Sequence, residues 1–322
     1  MLRYHSLVLI PSDHCNISCR HCAPECGPSE RHPWDVELFE RCITEAARIP
    51  NLRKTIHFAG GEPFLYFAQM LQLARHGHRL GFTSSIVTNG FWGVNEPRAA
   101  RMIESLVEQG LRRVELSVDH FHLEFLPART IRQSIAVLKQ AGVFVCMRVV
   151  TTRKHQIDET LRQFTPDDLD GVEVNASGLI PTGRAIREVN ADEYYSSPEG
   201  VHGCCSNFLN LTIRPDGNVG PCCAGAESTP SLSLGNVHFS PLDRIAQDAE
   251  QNFFLKQVVE QGPSSFFETL RAIGLGQKIR PEYTSICQAC SELFRDSEVL
   301  NALGRHGTND SNQTLLVNIS LR

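Results

Sequence analysis

The 322 residues carry 31 Lys+Arg against 36 Asp+Glu, a formal net charge of −5, with 41% hydrophobic and 21% charged residues. A chain of this length folds as roughly two domains and needs no covalent staples. That balance excludes a disordered or fibrous protein, and no charge run reaches five residues, which argues against nucleic acid or an anionic membrane as partner.

The first apolar run, Leu7 to Ile10, is too short for a signal segment and lacks a cleavage site. No window approaches the roughly 18 apolar residues of a membrane span. A cytoplasmic, reducing compartment is therefore expected. Against that setting stand 12 cysteines: Cys15, Cys19, Cys22, Cys26, Cys42, Cys146, Cys204, Cys205, Cys222, Cys223, Cys287 and Cys290. In a reducing compartment such clusters indicate metal or redox chemistry rather than disulfides.

Along the chain, short β-rich runs alternate with amphipathic stretches as far as residue 185. Strands are predicted at 5–11, 54–59, 82–88, 113–119, 143–150 and 171–176, with helices near 35–49, 64–78, 96–109, 128–141 and 157–164. Gly81, Gly110 and Gly142 stand where helices end. This repeat predicts an α/β fold with a parallel sheet, open or partly closed as a barrel, and chemistry at the carboxyl ends of its strands. After Pro181-Thr182-Gly183-Arg184 the rhythm breaks. A hairpin is expected over Leu211–Pro221 on Asp216-Gly217, then helices at about 241–261 and 263–274, and a loose polar tail over 308–313. The expected division is 1–185 and 186–322.

Cys15, Cys19 and Cys22 form C-x3-C-x2-C in the loop after the first strand. Three thiolates this close can wrap one face of a cubane iron–sulfur cluster and leave one iron open. A zinc knuckle is the alternative, with Cys26 or His21 as fourth ligand. One βα unit later, the second strand runs into Gly60-Gly61-Glu62-Pro63. The glycines permit close backbone approach to a ligand, and Glu62 and backbone carbonyls can accept from an ammonium group.

With these motifs, and with Thr88-Asn89-Gly90, Ser117-Val118-Asp119 and Pro181–Arg184, the chain resembles the radical S-adenosylmethionine (SAM) superfamily over residues 5–185. The resemblance implies a partial (β/α)6 barrel and a [4Fe–4S] cluster on Cys15, Cys19 and Cys22. It also implies SAM on the open iron, with its amino group held by Gly60–Pro63. Reductive cleavage of SAM then gives a 5′-deoxyadenosyl radical, with flavodoxin or ferredoxin as electron donor. Asn89, Ser117 and Arg148 are further candidate SAM contacts, Ser117 toward the ribose and Arg148 toward the carboxylate. Simpler roles stand beside them: a turn for Asn89, a salt bridge for Arg148.

Cys205, Gly217 and Cys222 give C-x11-G-x4-C, followed by Cys287-x2-Cys290. The pattern resembles the Twitch form of the SPASM/Twitch extension and implies a small α+β domain with one auxiliary [4Fe–4S] cluster, two clusters in all. The adjoining Cys204 and Cys223 blur the choice of ligand, and a four-cysteine zinc site uses the same donors. His120, His122 and Glu124 are acid–base candidates at the barrel mouth or a polar loop. Cys42 and Cys146 suit the core.

No leader-recognition segment precedes the first strand, which favours a small polar substrate (a sugar, aminocyclitol or antibiotic precursor) over a ribosomally made peptide; a zinc-binding module without activity ranks third. Epimerisation or oxidation follows hydrogen abstraction. For epimerisation, Cys223 and Cys204 are the candidate hydrogen donors.

Overall fold

The computed structural model describes residues 2–29, 34–205, 209–222 and 232–310. Strands are β1 (Ser6–Leu9), β2 (Thr55–Phe58), β3 (Thr83–Thr88), β4 (Leu111–Ser117), β5 (Phe144–Thr151), β6 (Glu173–Gly178), β7 (Asn210–Ile213), β8 (Asn218–Gly220) and β9 (Gly235–Asn236). Helices in the first part are α1 (Val36–Ala46), α2 (Phe67–Arg79), α3 (Glu96–Val107), α4 (His120–Leu123), α5 (Ala128–Gln140), α6 (Ile157–Leu161), α7 (Pro166–Leu169) and α8 (Ala185–Glu188). The rest are α9 (Leu242–Ala249), α10 (Phe253–Gln261), α11 (Phe267–Ala272), α12 (Ile286–Arg295) and α13 (Ser297–Asp310).

The predicted βα alternation is present, and its six strands pair in parallel, each with its sequence neighbour. The helices form as their stripes require. In α1, Leu38, Phe39, Cys42, Ile43 and Ala46 are buried at helical spacing, and the Asp35 side chain accepts from the Leu38 amide. Gly81, Gly110 and Gly142 have φ of +84°, +85° and +68° at the ends of α2, α3 and α5, the left-handed turn expected of them.

The sheet order is β6-β5-β4-β3-β2-β1-β7-β8-β9. β6 therefore does not close onto β1. Instead β7 lies parallel to β1, so the sheet runs on across residue 185 into the predicted hairpin β7–β8, which turns at Asp216-Gly217. Periodicity cannot announce that pairing, because it is set by tertiary contact. Tyr4 Oη donates to the Ala246 carbonyl, and the Leu242 amide at the start of α9 donates to the buried Glu45 carboxylate of α1.

The helix predicted over 241–261 is two helices. Asn252 accepts from the Leu255 amide and starts α10 afresh, because a competing cap outweighs apolar continuity. At the end of the chain, α13 continues to Asp310, so the first part of the expected loose tail is helical; the rest of that segment lies outside the described residues. None of the described helices is long and apolar enough to cross a membrane.

Candidate active site

The carboxyl ends of β1 to β6 surround a cavity of about 370 Å3. Cys15, Cys19, Cys22 and Cys26 line it together with Gly60–Glu62, Asn89, Ser117 and His122. The cysteine loop rests on a small apolar cluster of its own, with Ile17, Phe121, Leu179, Ala185 and Val189 buried around Cys15, Cys19 and Cys26.

Backbone contacts hold this loop from two sides. The Gly61 and Glu62 amides donate to the carbonyls of Ser12 and His14, at 3.0 and 2.8 Å. A Cβ on Gly61 would stand 1.9 Å from the His14 carbonyl oxygen, and one on Gly60 (φ +115°) 2.7 Å from that of Ser12. The glycines thus admit a protein loop as well as bordering the cavity. From the segment after β6, the Arg184 guanidinium donates to the carbonyls of Cys19 and Cys26, both at 2.7 Å, and the Arg184 amide donates to that of Cys22. The Pro181–Arg184 turn is therefore a clamp on the loop, a role that spacing does not reveal.

Glu62 is buried and accepts from Thr88 Oγ1 (2.7 Å), the Phe64 amide (3.1 Å) and the Asn89 amide (2.8 Å). Burial pushes its carboxyl up to about 7, against the opposing pull of these donors. Its carboxylate holds the Thr88–Asn89 turn in place, where the sequence reading has it accept from an ammonium group. Asn89 Nδ2 in turn donates to Asn16 Oδ1 and reaches the Cys15 sulfur at 3.7 Å. Burial raises the Cys15 thiol to about 12; a hydrogen bond with Cys26 draws the Cys22 thiol down to about 7 and pushes that of Cys26 up.

Asp119 is fully buried and fixes a histidine pair the sequence reading did not assemble. Its Oδ1 bonds His122 Nδ1 at 2.8 Å, and its Oδ2 faces His21 Nε2 at 3.6 Å. His21 stacks on Phe121, and burial lowers it to about 4. His120 and Glu124 sit apart at the rim, where Glu124 pairs with both Arg20 and His120 and His120 stacks on His155. Arg148 does not line the cavity; it is half exposed and pairs with Glu115 at 3.5 Å, below Ser117.

In the carboxyl-terminal part, Ser285 caps α12 and so sets Cys287 and Cys290 three residues apart on one helix. Burial, and to a smaller extent the charge of Cys205, raise both thiols, Cys287 to about 11. Cys222 is buried in the main core. Cys204 is exposed, donates to the Glu260 carbonyl at 3.0 Å and does not line the cavity, so its placement does not suit a hydrogen donor to a substrate there. Cys223, the other candidate donor, lies outside the described residues.

Comparison with known proteins gives two family matches. Residues 9–164 match the radical SAM superfamily, and residues 204–291 match SPASM, an iron–sulfur cluster-binding domain. A Bacillus subtilis relative named putative peptide biosynthesis protein YydG is 23% identical over 305 residues, covering 92% of this chain and 95% of its own. A PqqA peptide cyclase from Methylocella silvestris is 26% identical over 267 residues, 69% of this chain and 68% of its own. Among solved structures, anSMEcpe with bound AdoMet and Cp18Cys peptide has a TM-score of 0.54 at 15% identity, covering 95% of this chain and 99% of that one, and shares the fold.

The relatives correct the expected substrate. The expectation from sequence is a small polar molecule: a sugar, aminocyclitol or antibiotic precursor. Yet a relative named for peptide biosynthesis matches over 92% of this chain and 95% of its own length, and a peptide cyclase matches over 69%, which favours a peptide substrate instead. The small-molecule partner falls with that expectation.

Proposed function

Because the chain belongs to the radical SAM superfamily and carries a SPASM iron–sulfur domain, we propose that it is a maturase that modifies a peptide by abstracting hydrogen from carbon. The observation that carries this reading is the alignment with the Bacillus subtilis relative over 92% of the chain. The peptide cyclase match supports it.

The donor set fits the implied cluster, since three thiols of one short loop border a single cavity. In this reading Cys15, Cys19 and Cys22 hold a [4Fe–4S] cluster, and Gly60–Pro63, Asn89 and Ser117 contact SAM. Cys205, Cys222, Cys287 and Cys290 hold one auxiliary [4Fe–4S] cluster, with the division at 1–185 and 186–322. When bound, cluster and SAM supply a hydrogen-abstracting organic radical. The chain's own residues position and shield it: Glu62 fixes the Asn89 turn, Arg184 and Gly61 fix the loop, and the apolar seat around Phe121 keeps water from the sulfurs.

Within this reading the reaction is epimerisation, with the Cys223 thiol returning hydrogen to the opposite face of the substrate carbon; the thiyl radical so left is restored to the thiol by one electron from the external reductant and a proton from water. The test incubates anaerobic protein, SAM and dithionite with the short peptides encoded at its own locus. Epimerisation leaves the peptide mass unchanged in H2O, adds one deuterium in D2O, and yields a D-residue on hydrolysis. A product lighter by two hydrogens with no deuterium makes the reaction an oxidation instead. If none of these peptides is altered while SAM is cleaved, the peptide reading is lost.

A further inference from the structure

Resting on the peptide reading, we propose that the free edge of β6 is where the peptide substrate docks, as an added strand that leads into the cavity. β6 is the end of the sheet; among the described residues its ladder partner is β5 alone. Just beyond it, the Leu179 amide donates to the Thr151 carbonyl on β5 at 2.9 Å. Backbone groups alternate sides along a strand, so Asn175 and Ser177 also turn theirs toward β5. The N–H and C=O groups of Val174, Ala176 and Gly178 therefore point outward.

Sheet edges in natural proteins are normally blunted by lysine, proline, a bulge or a covering segment. β6, with the sequence Glu-Val-Asn-Ala-Ser-Gly, has neither lysine nor proline, and its register with β5 is unbroken. Five of its six residues are exposed, against one in β4 and two in β5. Its one charge, Glu173, is at the start and turns to Arg113. The upper half, Ala176-Ser177-Gly178, is small enough for another backbone to come alongside.

The edge also leads somewhere. Ser177, Gly178, Leu179 and Ile180 line the same cavity as Cys15, Cys19, Cys22 and Asn89. A peptide hydrogen-bonded along the edge would be delivered at its upper end to the carboxyl ends of the strands, where the chemistry of such folds resides. Recognition through main-chain groups fixes the reacting residue's position while tolerating varied side chains on either side of it.

The test uses the SAM-loaded holoenzyme to select binders from a random 14-residue peptide library displayed on mRNA. The best peptide is then measured against wild type and Ala176→Pro. The outward amide of residue 176 makes no ladder bond, so proline there removes a docking donor and leaves the β5 pairing intact. The expected result is a Kd at least about tenfold higher, since one backbone hydrogen bond is lost and the proline ring crowds the incoming strand, in a variant with wild-type iron content. Amide exchange across 172–180 of the wild type should slow when the peptide is bound, which decides the matter even if the proline variant does not fold. A selected peptide that binds Ala176→Pro equally well and leaves exchange at 172–180 unchanged overturns edge docking while the peptide reading stands. Recovery of no binding peptide by the wild type removes both.

Discussion

At the amino-terminal cluster, three cysteines within eight residues share one loop, and that loop is gripped by the Gly61 and Glu62 amides on one side and Arg184 on the other. At the carboxyl-terminal cluster the cysteines come from three separate segments between residues 205 and 290, with no such short loop among them. In the proposed reading, the first arrangement fixes its ligands locally and then fastens the loop to the barrel, whereas the second gains its ligands only once the segments around β7, β8 and α12 have come together. Damage to the first site should therefore remain local in iron loading yet abolish all chemistry, whereas damage to the second should leave the first site competent.

The sharpest break replaces Cys15, Cys19 and Cys22 together by Ala. Iron per chain should fall by about half, as expected for loss of one of two cubane clusters, and 5′-deoxyadenosine formation should drop below detection. Persistent SAM cleavage in that variant would remove the amino-terminal loop from the chemistry. Next in size is Gly61→Ala, whose Cβ meets the His14 carbonyl at 1.9 Å. A backbone clash of that kind has no cheap relief and should cost about 3 kcal/mol or more. Gly142→Ala, with φ +68° but nothing within 4 Å, should cost only about 1 kcal/mol. Urea unfolding of the two variants measures the difference, and equal losses would show that the loop-to-loop contact is not tight.

Cys290→Ala addresses the other half of the comparison. Its iron should also fall by about half, but SAM cleavage without peptide should survive and peptide turnover should be lost. Full iron content would mean that Cys290 is no ligand. Retained turnover without the second cluster would leave that cluster a peripheral part.

The contrast between the clusters also explains what the sequence made legible. Cys15, Cys19 and Cys22 sit at fixed spacing next to a strand end, and the βα alternation is local periodicity, so both could be read directly. The clamp of Arg184 on Cys19 joins residues 165 apart in the chain, and the β1–β7 pairing spans the presumed boundary; no local pattern encodes either. From sequence His21 is a candidate zinc ligand and no more, because its stacking on Phe121 and approach to Asp119 exist only after β4 has been set beside the loop. Of the two roles the sequence leaves open for Arg148, the salt bridge is present: Glu115 on the adjacent strand is its partner, a pairing across strands that no local pattern encodes.

The smallest effect expected is a pH dependence at Glu62, and its sign is fixed by the direction of the shift. Burial raises the carboxyl from 4.5 to about 7 in the folded chain, outweighing the three donors that favour the ionised form. Below pH ~4.5 both folded and unfolded chains hold the proton, and the full contribution to stability is present. Between ~4.5 and ~7 the unfolded chain releases the proton while the folded chain keeps it, so stability falls as pH rises. Glu62→Gln stays neutral throughout and should erase that fall. The same variant should carry a second, pH-independent loss of about 1–3 kcal/mol. The reason is that donors meet both oxygens of Glu62, from Thr88 and Phe64 on one and Asn89 on the other, and an amide must turn its NH2 toward one of them. Urea unfolding under anaerobic conditions at pH 5, 6 and 7 separates the two effects, because the difference between wild type and variant should grow toward low pH. A difference that stays constant across this range would show that Glu62 is ionised in the folded chain throughout, with the Asn89 turn held by a full negative charge.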